Sequence, residues 1–386
     1  MLNKVKVKVK FMQERIKRPL IGVLVNDKYF LYHTGTQFAA KLMQANEIAQ
    51  CTVCFFSLPD IDWRNKEIVG TMFSRDDSRL TRHLLPFPDI IYDRCVYLLS
   101  DQNTKLEEIR RRFKTLSDIQ FINSGKLEKW PVYQRLSLCR EARDYLPDTV
   151  LFRHFDDLKN MLFKYDQIFI KTSPGSGGRG VISVERLRQC YQLSFYRHGA
   201  HRTLTASSLN DIKVYLSGMM GAKPEKMIIQ QGIRLIKHDG RLLDLRILLV
   251  KNKFSQWIPI YNQARIAQKG AVITNLSLGG DVADYRDLSL ALEAQYPDLP
   301  SDTQLREICV LLAKCIESRL GPFGEIGMDM AVDESGKIWL LEGNSKPSKL
   351  PEKMIEDTVG VSPQFLMILE YAGSLYQFSL RSRQLA

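Results

Sequence analysis

The stretch Ile170-Lys171-Thr172-Ser173-Pro174-Gly175-Ser176-Gly177-Gly178-Arg179-Gly180-Val181 places four glycines in six residues just after a lysine. Such a loop lets backbone amides turn inward and approach phosphate oxygens closely. Gly175, Gly177 and Gly180 match the G-x-G-x-x-G spacing of dinucleotide sites, but that fingerprint needs a helix after the loop, and Val181–Glu185 reads as a strand. A Walker-type loop ends in Gly-Lys-Ser/Thr, and a kinase lysine follows its loop on the next strand. Here Lys171 comes first. Strand, lysine, glycine loop and strand describe a β-hairpin lid over a triphosphate, with Lys171 reaching the α and β phosphates. A glycine hairpin without a ligand is the competing reading.

The second chemical stretch is Gly-Glu-Ile-Gly-Met-Asp-Met-Ala-Val-Asp-Glu-Ser-Gly-Lys-Ile-Trp-Leu-Leu-Glu-Gly-Asn, residues 324–344. Ser335-Gly336 signals a turn. Glu342 and Asn344 then share one face of the returning strand, and a hairpin brings Asp329 opposite them. Three hard oxygen ligands on strands suit magnesium, with phosphate oxygens and water completing its shell. Asp333 and Glu334, at the turn, read as solvated. The competing reading is a polar strand face without a metal.

These residues need elements to hold them. Residues 19–125 alternate strands (Pro19–Val25, Thr52–Leu58, Asp89–Cys95) with helices (Thr36–Gln50, and the stripe Leu106, Ile109, Phe113, Leu116), which predicts a small parallel sheet. Arg110, Arg111 and Arg112 read as the solvated face of that second helix. The character changes near Gly125. Residues 126–147 read as one helix ending before Pro147. Long β segments follow, with an amphipathic helix over 301–320 and a last one in the tail.

The chain has 386 residues, 45% hydrophobic and 25% charged, ordinary values for a globular protein with two or three domains. No run of 18 apolar residues spans a membrane and the N-terminus lacks a secretory signal, so the expected location is cytoplasmic. Cys51-x-x-Cys54 lies in a strand-like stretch and reads as reduced core thiols, because no second pair follows at zinc spacing. Residues 1–18 hold seven Lys/Arg against one Glu, half of the net charge of +12. Val5, Val7 and Val9 alternate with lysines there. The segment reads as an edge strand guarded by lysine, or as a surface that docks on an acidic partner. No basic and aromatic motif repeats, which argues against sequence-specific nucleic-acid binding.

Taken in order, these residues resemble the ATP-grasp superfamily over roughly residues 126–350. Lys171 and its loop look like the family's phosphate lid, with Ser176, Gly177, Gly178 and Gly180 closing over the nucleotide. Asp329, Glu342 and Asn344 look like its metal ligands. The resemblance also implies that Lys129 is the second ATP lysine, and that Gln230, Gln231 and Ile233 form the hinge that meets adenine. Asp244-Leu245-Arg246, Arg265 and the segment Asn275-Leu276-Ser277-Leu278-Gly279-Gly280 resemble the glutathione-synthetase and glutamate-ligase branch. Arg246, Arg265 and Asn275 would then carry catalysis. Residues 230–251 and 340–348 look most like the endospore coat-associated YheC/YheD family. Two departures stand out: glutamines occupy the hinge where many ligases have an acid, and Ser345-Lys346-Pro347-Ser348 follows the metal asparagine where peptide ligases often have Pro-Gly.

The implied fold class is α/β and α+β: two α+β subdomains clasping ATP, preceded by a small α/β domain. The expected division is a basic strand (1–18), an α/β domain (19–125), a first grasp subdomain with the lid (126–231) and a second with the metal site and C-terminal helix (232–386). The implied reaction is ATP- and magnesium-dependent joining of a carboxylate to an amine, through an acyl phosphate. The amine is expected to come from an amino acid or peptide, and spore-coat proteins are expected partners. The alternatives are a non-catalytic nucleotide-binding coat protein and a kinase-like phosphotransferase.

Overall fold

A computed structural model describes residues 10–11, 19–31, 33–73, 79–96, 100–172, 180–197, 200–220, 227–271, 274, 280–349 and 360–384. Its three sheets follow one another along the chain. The first contains β1 (Lys10–Phe11), β2 (Leu20–Leu24), β3 (Thr52–Phe56), β4 (Ile61–Asp62), β5 (Glu67–Phe73), β6 (Leu80–Pro86), β7 (Ile90–Asp93) and β8 (Gln120–Phe121), in the order β1-β6-β5-β3-β2-β7-β8 with β4 on β5. The expected parallel sheet is its β3-β2-β7-β8 part, wound through α1 (His33–Ala49) and α2 (Ser100–Lys114). The antiparallel hairpin β5–β6 extends it and was not anticipated. The charged run around residues 64–83 hides that pattern.

Two expectations for this region need correction. Arg110 is not solvated: it is 7% exposed, on the same face as buried Leu106 and Phe113. Its guanidinium pairs with Asp93 at the end of β7, at 2.7 and 3.1 Å. Residues 126–147 are not one helix either. Helix α3 (Lys129–Leu136) stops after eight residues, and the chain turns so that Cys139 packs on Cys315, sulfur to sulfur at 2.9 Å. As expected, Cys54 is a core residue, its thiol pushed up to about 12 by burial. The alternating lysine strand at residues 4–9 lies outside the described residues. Lys10 and Phe11 pair with β6 at the edge of the sheet.

The second sheet is antiparallel throughout: β9 (Thr149–Leu151), β10 (Gln167–Thr172), β11 (Val181–Arg186), β12 (Tyr191–Arg197), β13 (Ala200–Ala206) and β14 (Met227–Gln231), ordered β13-β12-β11-β10-β14-β9. Helices α4 (Phe155–Lys164) and α5 (Leu209–Met220) cover one face, burying Leu158, Met161, Ile212 and Leu216 against Ile168, Ile170 and Leu193. Phe169 and Lys171 alternate to the other face, where the cavity described below lies.

The third sheet holds β15 (Lys237–His238), β16 (Arg241–Lys251), β17 (Trp257–Ile266), β18 (Asp281–Asp284), β19 (Glu325–Val332) and β20 (Ile338–Asn344), ordered β18-β17-β16-β19-β20 with β15 on β16. On one face, α6 (Tyr285–Leu292), α7 (Asp302–Leu320) and α3 bury Leu243, Leu245, Ile247, Met328, Met330 and Leu340. On the other, α8 (Pro363–Gln384) and α1 join Leu248 and Val250 to the first sheet in a shared core. Asp244 and Arg246 belong to that second face but lie beyond the covering helices, toward the cavity. Among the described residues, no helix is long and apolar enough to cross a membrane.

Candidate functional site

A cavity of about 870 Å³ lies between the second and third sheets. That is ample for a nucleotide-sized ligand. Phe169, Val181, Ile233 and Leu235 supply apolar wall, and Asp244, Arg246, Arg265, Asp329, Glu342 and Asn344 lie on the floor made by the third sheet.

Strand register builds that floor. Arg265 on β17 sits opposite Asp244 on β16, Arg246 on β16 opposite Asp329 on β19, and Asp329 opposite Glu342 on β20. One irregularity makes the last pairing possible. Ile338 and Leu340 point into the core under α7, so unbroken alternation would send Glu342 and Asn344 into the same core. Between Asp329/Met330 and their partners the register shifts, leaving Leu341 as the extra residue. This β-bulge turns the strand over, and Glu342 and Asn344 reach the cavity wall. Gly343 now faces inward, where a Cβ would meet Leu127 at 3.4 Å.

The floor charges are paired with one another. Arg265 grips Asp244 with two bonds, 2.6 and 2.7 Å, and reaches Asp329 at 3.3 Å. Arg246 donates to the other oxygen of Asp329. Burial pushes the Asp329 carboxyl up, but the two guanidinium groups outweigh it and hold it below the usual carboxylate range. For Asp244 burial wins and its carboxyl lies above that range, despite Arg265. Lys129, at the start of α3, donates to Glu342 Oε1 at 3.0 Å. The packing of Val132 and Leu136 on the α7 side of the sheet fixes α3 there.

Lys171 hangs from the opposite wall. Its Nζ donates to the Gln230 side-chain oxygen at 2.5 Å, and Gln230 in turn donates to Thr149 Oγ1 at 3.2 Å. Burial pushes the Lys171 ammonium down to about 8, with Glu342 opposing and Lys129 adding to the fall. Gln230 is thus a lysine holder in the wall, which its expected place in the hinge did not reveal. Gln231 spends its amide on the Asp148 carbonyl, and Gly232 spends its own on Gln167. Gly180, just before β11, has φ +73°, a left-handed conformation that favours glycine. Ser176, Gly177, Gly178 and Asn275 lie outside the described residues.

The structure therefore brings together Lys129, Lys171, Gln230, Gln231, Ile233, Arg246, Arg265, Asp329, Glu342 and Asn344 around one cavity. The cavity lining that carries no role in the sequence reading includes Thr274 and Lys346, the latter continuing the Glu342, Asn344 spacing by two more residues. That spacing was the signal available. Asp333 needs correction: its carboxylate accepts bonds from Ser335, Lys337 and the Trp339 indole, so it locks the β19–β20 turn.

A family model described as YheC/D like ATP-grasp matches residues 118–375. The chain belongs to that family. Among curated proteins, endospore coat-associated protein YheC of Bacillus subtilis is 25% identical over 296 residues, 75% of this chain and 79% of YheC. Endospore coat-associated protein YheD of the same organism is 24% identical over 314 residues, 81% of this chain and 68% of YheD. Among solved structures, D-cycloserine synthetase DcsG aligns with TM-score 0.53 at 13% identity, covering 93% of this chain and 99% of the other. The D-alanine–D-alanine ligase from Coxiella burnetii aligns with TM-score 0.52 at 13% identity, covering 95% and 99%. At such identity the likeness concerns the fold, and the fold is ATP-grasp.

Proposed function

We propose that this chain is an ATP-dependent ligase that joins a carboxylate to an amine, dividing into the four segments expected from its sequence. The convergence of phosphate-type lysines, metal-type acids and two arginines on one cavity carries this reading. Lys129 and Lys171 hold the α and β phosphates as point charges. The hinge at Gln231 to Ile233 receives the adenine against the apolar wall. The lid glycines Gly177, Gly178 and Gly180, with Ser176, close over the phosphates and keep water from the reacting group.

Asp329, Glu342 and Asn344 form an all-oxygen donor set on paired strands, which suits a hard ion such as magnesium. When bound, magnesium supplies charge neutralisation at the transferred phosphoryl group. Arg246 and Arg265, fixed by their aspartates, stabilise negative charge developing on that group, and Asn275 assists. The γ-phosphoryl group moves to a substrate carboxylate oxygen, releasing ADP. The amine then attacks the acyl carbon, an amide forms, phosphate leaves and the amine loses a proton. The names of the two Bacillus subtilis relatives support an association with the endospore coat, reached from the cytoplasm.

One observation favours a second reading. Every acid of the metal set is held by a cation within the protein, as a quiescent nucleotide-binding coat protein would also have it. The test is ADP release by the purified chain with ATP, magnesium and paired panels of carboxylates and amines. Release that requires both substrates supports the ligase. Release with a carboxylate alone and a lasting phosphorylated product points to a kinase-like enzyme. Nucleotide binding with no release under any pairing overturns the enzyme reading.

A further inference from the structure

Lys346 leaves the end of β20 two residues after Asn344 and still lines the cavity. Its Nζ donates to Asp93 Oδ1 at 2.6 Å and to the Cys95 carbonyl at 2.7 Å. Asp93 is the last residue of β7. In the first sheet the chain runs from β2 to β3 on one side and later to β7 on the other. A crevice opens outside the carboxyl ends of strands at such a reversal, and ligands of open α/β sheets bind there. Lys346 thus joins the nucleotide-sized cavity to the reversal point of the first sheet.

Asp93 does not need Lys346 for neutrality. Arg110 already grips it with two bonds, and the Cys95 amide donates at 3.0 Å. Arg110 also reaches Glu107, which Lys126 neutralises from outside. The cluster therefore holds three cations against two carboxylates. The member on the cavity wall is Lys346. Two of its three N–H groups have the partners above, which leaves one donor and one net positive charge for a ligand. An ammonium is costly to hold away from water without such compensation.

We infer that Lys346 anchors a second carboxylate of the substrate, so that the activated compound is a dicarboxylate. This rests on the ligase reading for which carboxyl reacts, but the anchor itself is a binding property. The Cα atoms of Asn344 and Lys346 are no more than about 7 Å apart. A short diacid then has one carboxyl beside the phosphoryl acceptor position and the other on Lys346. The acceptor stretch Ser345-Lys346-Pro347-Ser348 then differs from Pro-Gly because it recognises charge.

The experiment is calorimetric titration of the full chain, saturated with ADP and magnesium, with glutarate and with butyrate. The wild type binds glutarate at least tenfold tighter than butyrate. Lys346→Gln binds the two alike, and Lys346→Arg keeps most of the preference. Equal affinity for both acids in the wild type overturns the anchor with no variant needed. A glutarate preference that survives in Lys346→Gln overturns it as well. Absent ADP release with every substrate pairing strikes the ligase reading instead, and the glutarate preference is unaffected by it.

Discussion

Lys129 Nζ lies 3.0 Å from Glu342 Oε1, joining the first turn of α3 to the bulged end of β20 across 213 residues of sequence. A phosphate-type lysine and a metal-type acid therefore hold each other in the free protein. For the proposed ligands, a phosphate on Lys129 or a metal on Glu342 competes with this pair.

Glu342→Gln keeps the size of the side chain and removes its charge. In the magnesium reading, the rise in nucleotide affinity with added magnesium shifts at least about tenfold to higher metal, because a hard cation loses a charged ligand. Affinity without metal does not fall, since Lys129 is freed for phosphate. Identical magnesium titrations for wild type and variant would remove Glu342 from the site.

Lys171→Ala and Lys129→Ala each weaken ATP binding. The lost charge-assisted contact is worth about 1.5–3 kcal/mol, or roughly tenfold or more in affinity. Calorimetry at fixed salt checks this, and unchanged affinity in both variants excludes them from phosphate binding.

Nucleotide binding should also depend on pH through Lys171. Burial holds its ammonium at about 8 in the free protein, below the ordinary lysine value. Phosphate favours the charged form, so the bound value is higher. Below pH 7 the lysine is charged in both states and contributes no slope. As pH rises through about 8, binding must take up a proton and affinity falls. Titrations at pH 8.5 in buffers of different ionisation heat measure that uptake, and Lys171→Ala abolishes it.

Arg110→Ala removes the bidentate partner of a buried carboxylate and costs about 3 kcal/mol, at the lower end for broken buried pairs because Lys346 still faces Asp93. Arg111→Ala, on the exposed side of α2, stays within about 0.5 kcal/mol. Urea denaturation of the two variants tests the contrast, and equal losses would contradict the buried role.

The site was legible in sequence wherever its logic was local. The lysine-then-glycine order at Lys171 and the Asp329–Glu342–Asn344 hairpin depend on short spacings that a strand period reads directly. The bulge at Leu341 was not legible, because Leu340 and Leu341 are both apolar and either could be the extra residue. Alternation alone placed Glu342 and Asn344 together, but not on which side of the sheet. The Lys346–Asp93 contact spans 253 residues and runs from the first sheet to the end of the third, so no window of sequence contains it. Burial of Arg110 was not legible either, because its partner Asp93 ends a neighbouring strand that the helical stripe of α2 does not reveal.

The Lys129–Glu342 and Arg246–Asp329 pairs make the cleft an internal salt, so entry of the proposed ligands is an exchange of counterions. A metal arriving alone would take the acids and strand their cations. A nucleotide arriving alone would take the lysine and leave Glu342 facing phosphate. Only the two together re-pair every charge. For the proposed ligands, thermodynamic reciprocity then requires magnesium to raise ATP affinity by the same factor by which ATP raises magnesium affinity. For the proposed ligands, the pairs thus favour joint arrival of nucleotide and metal over either alone.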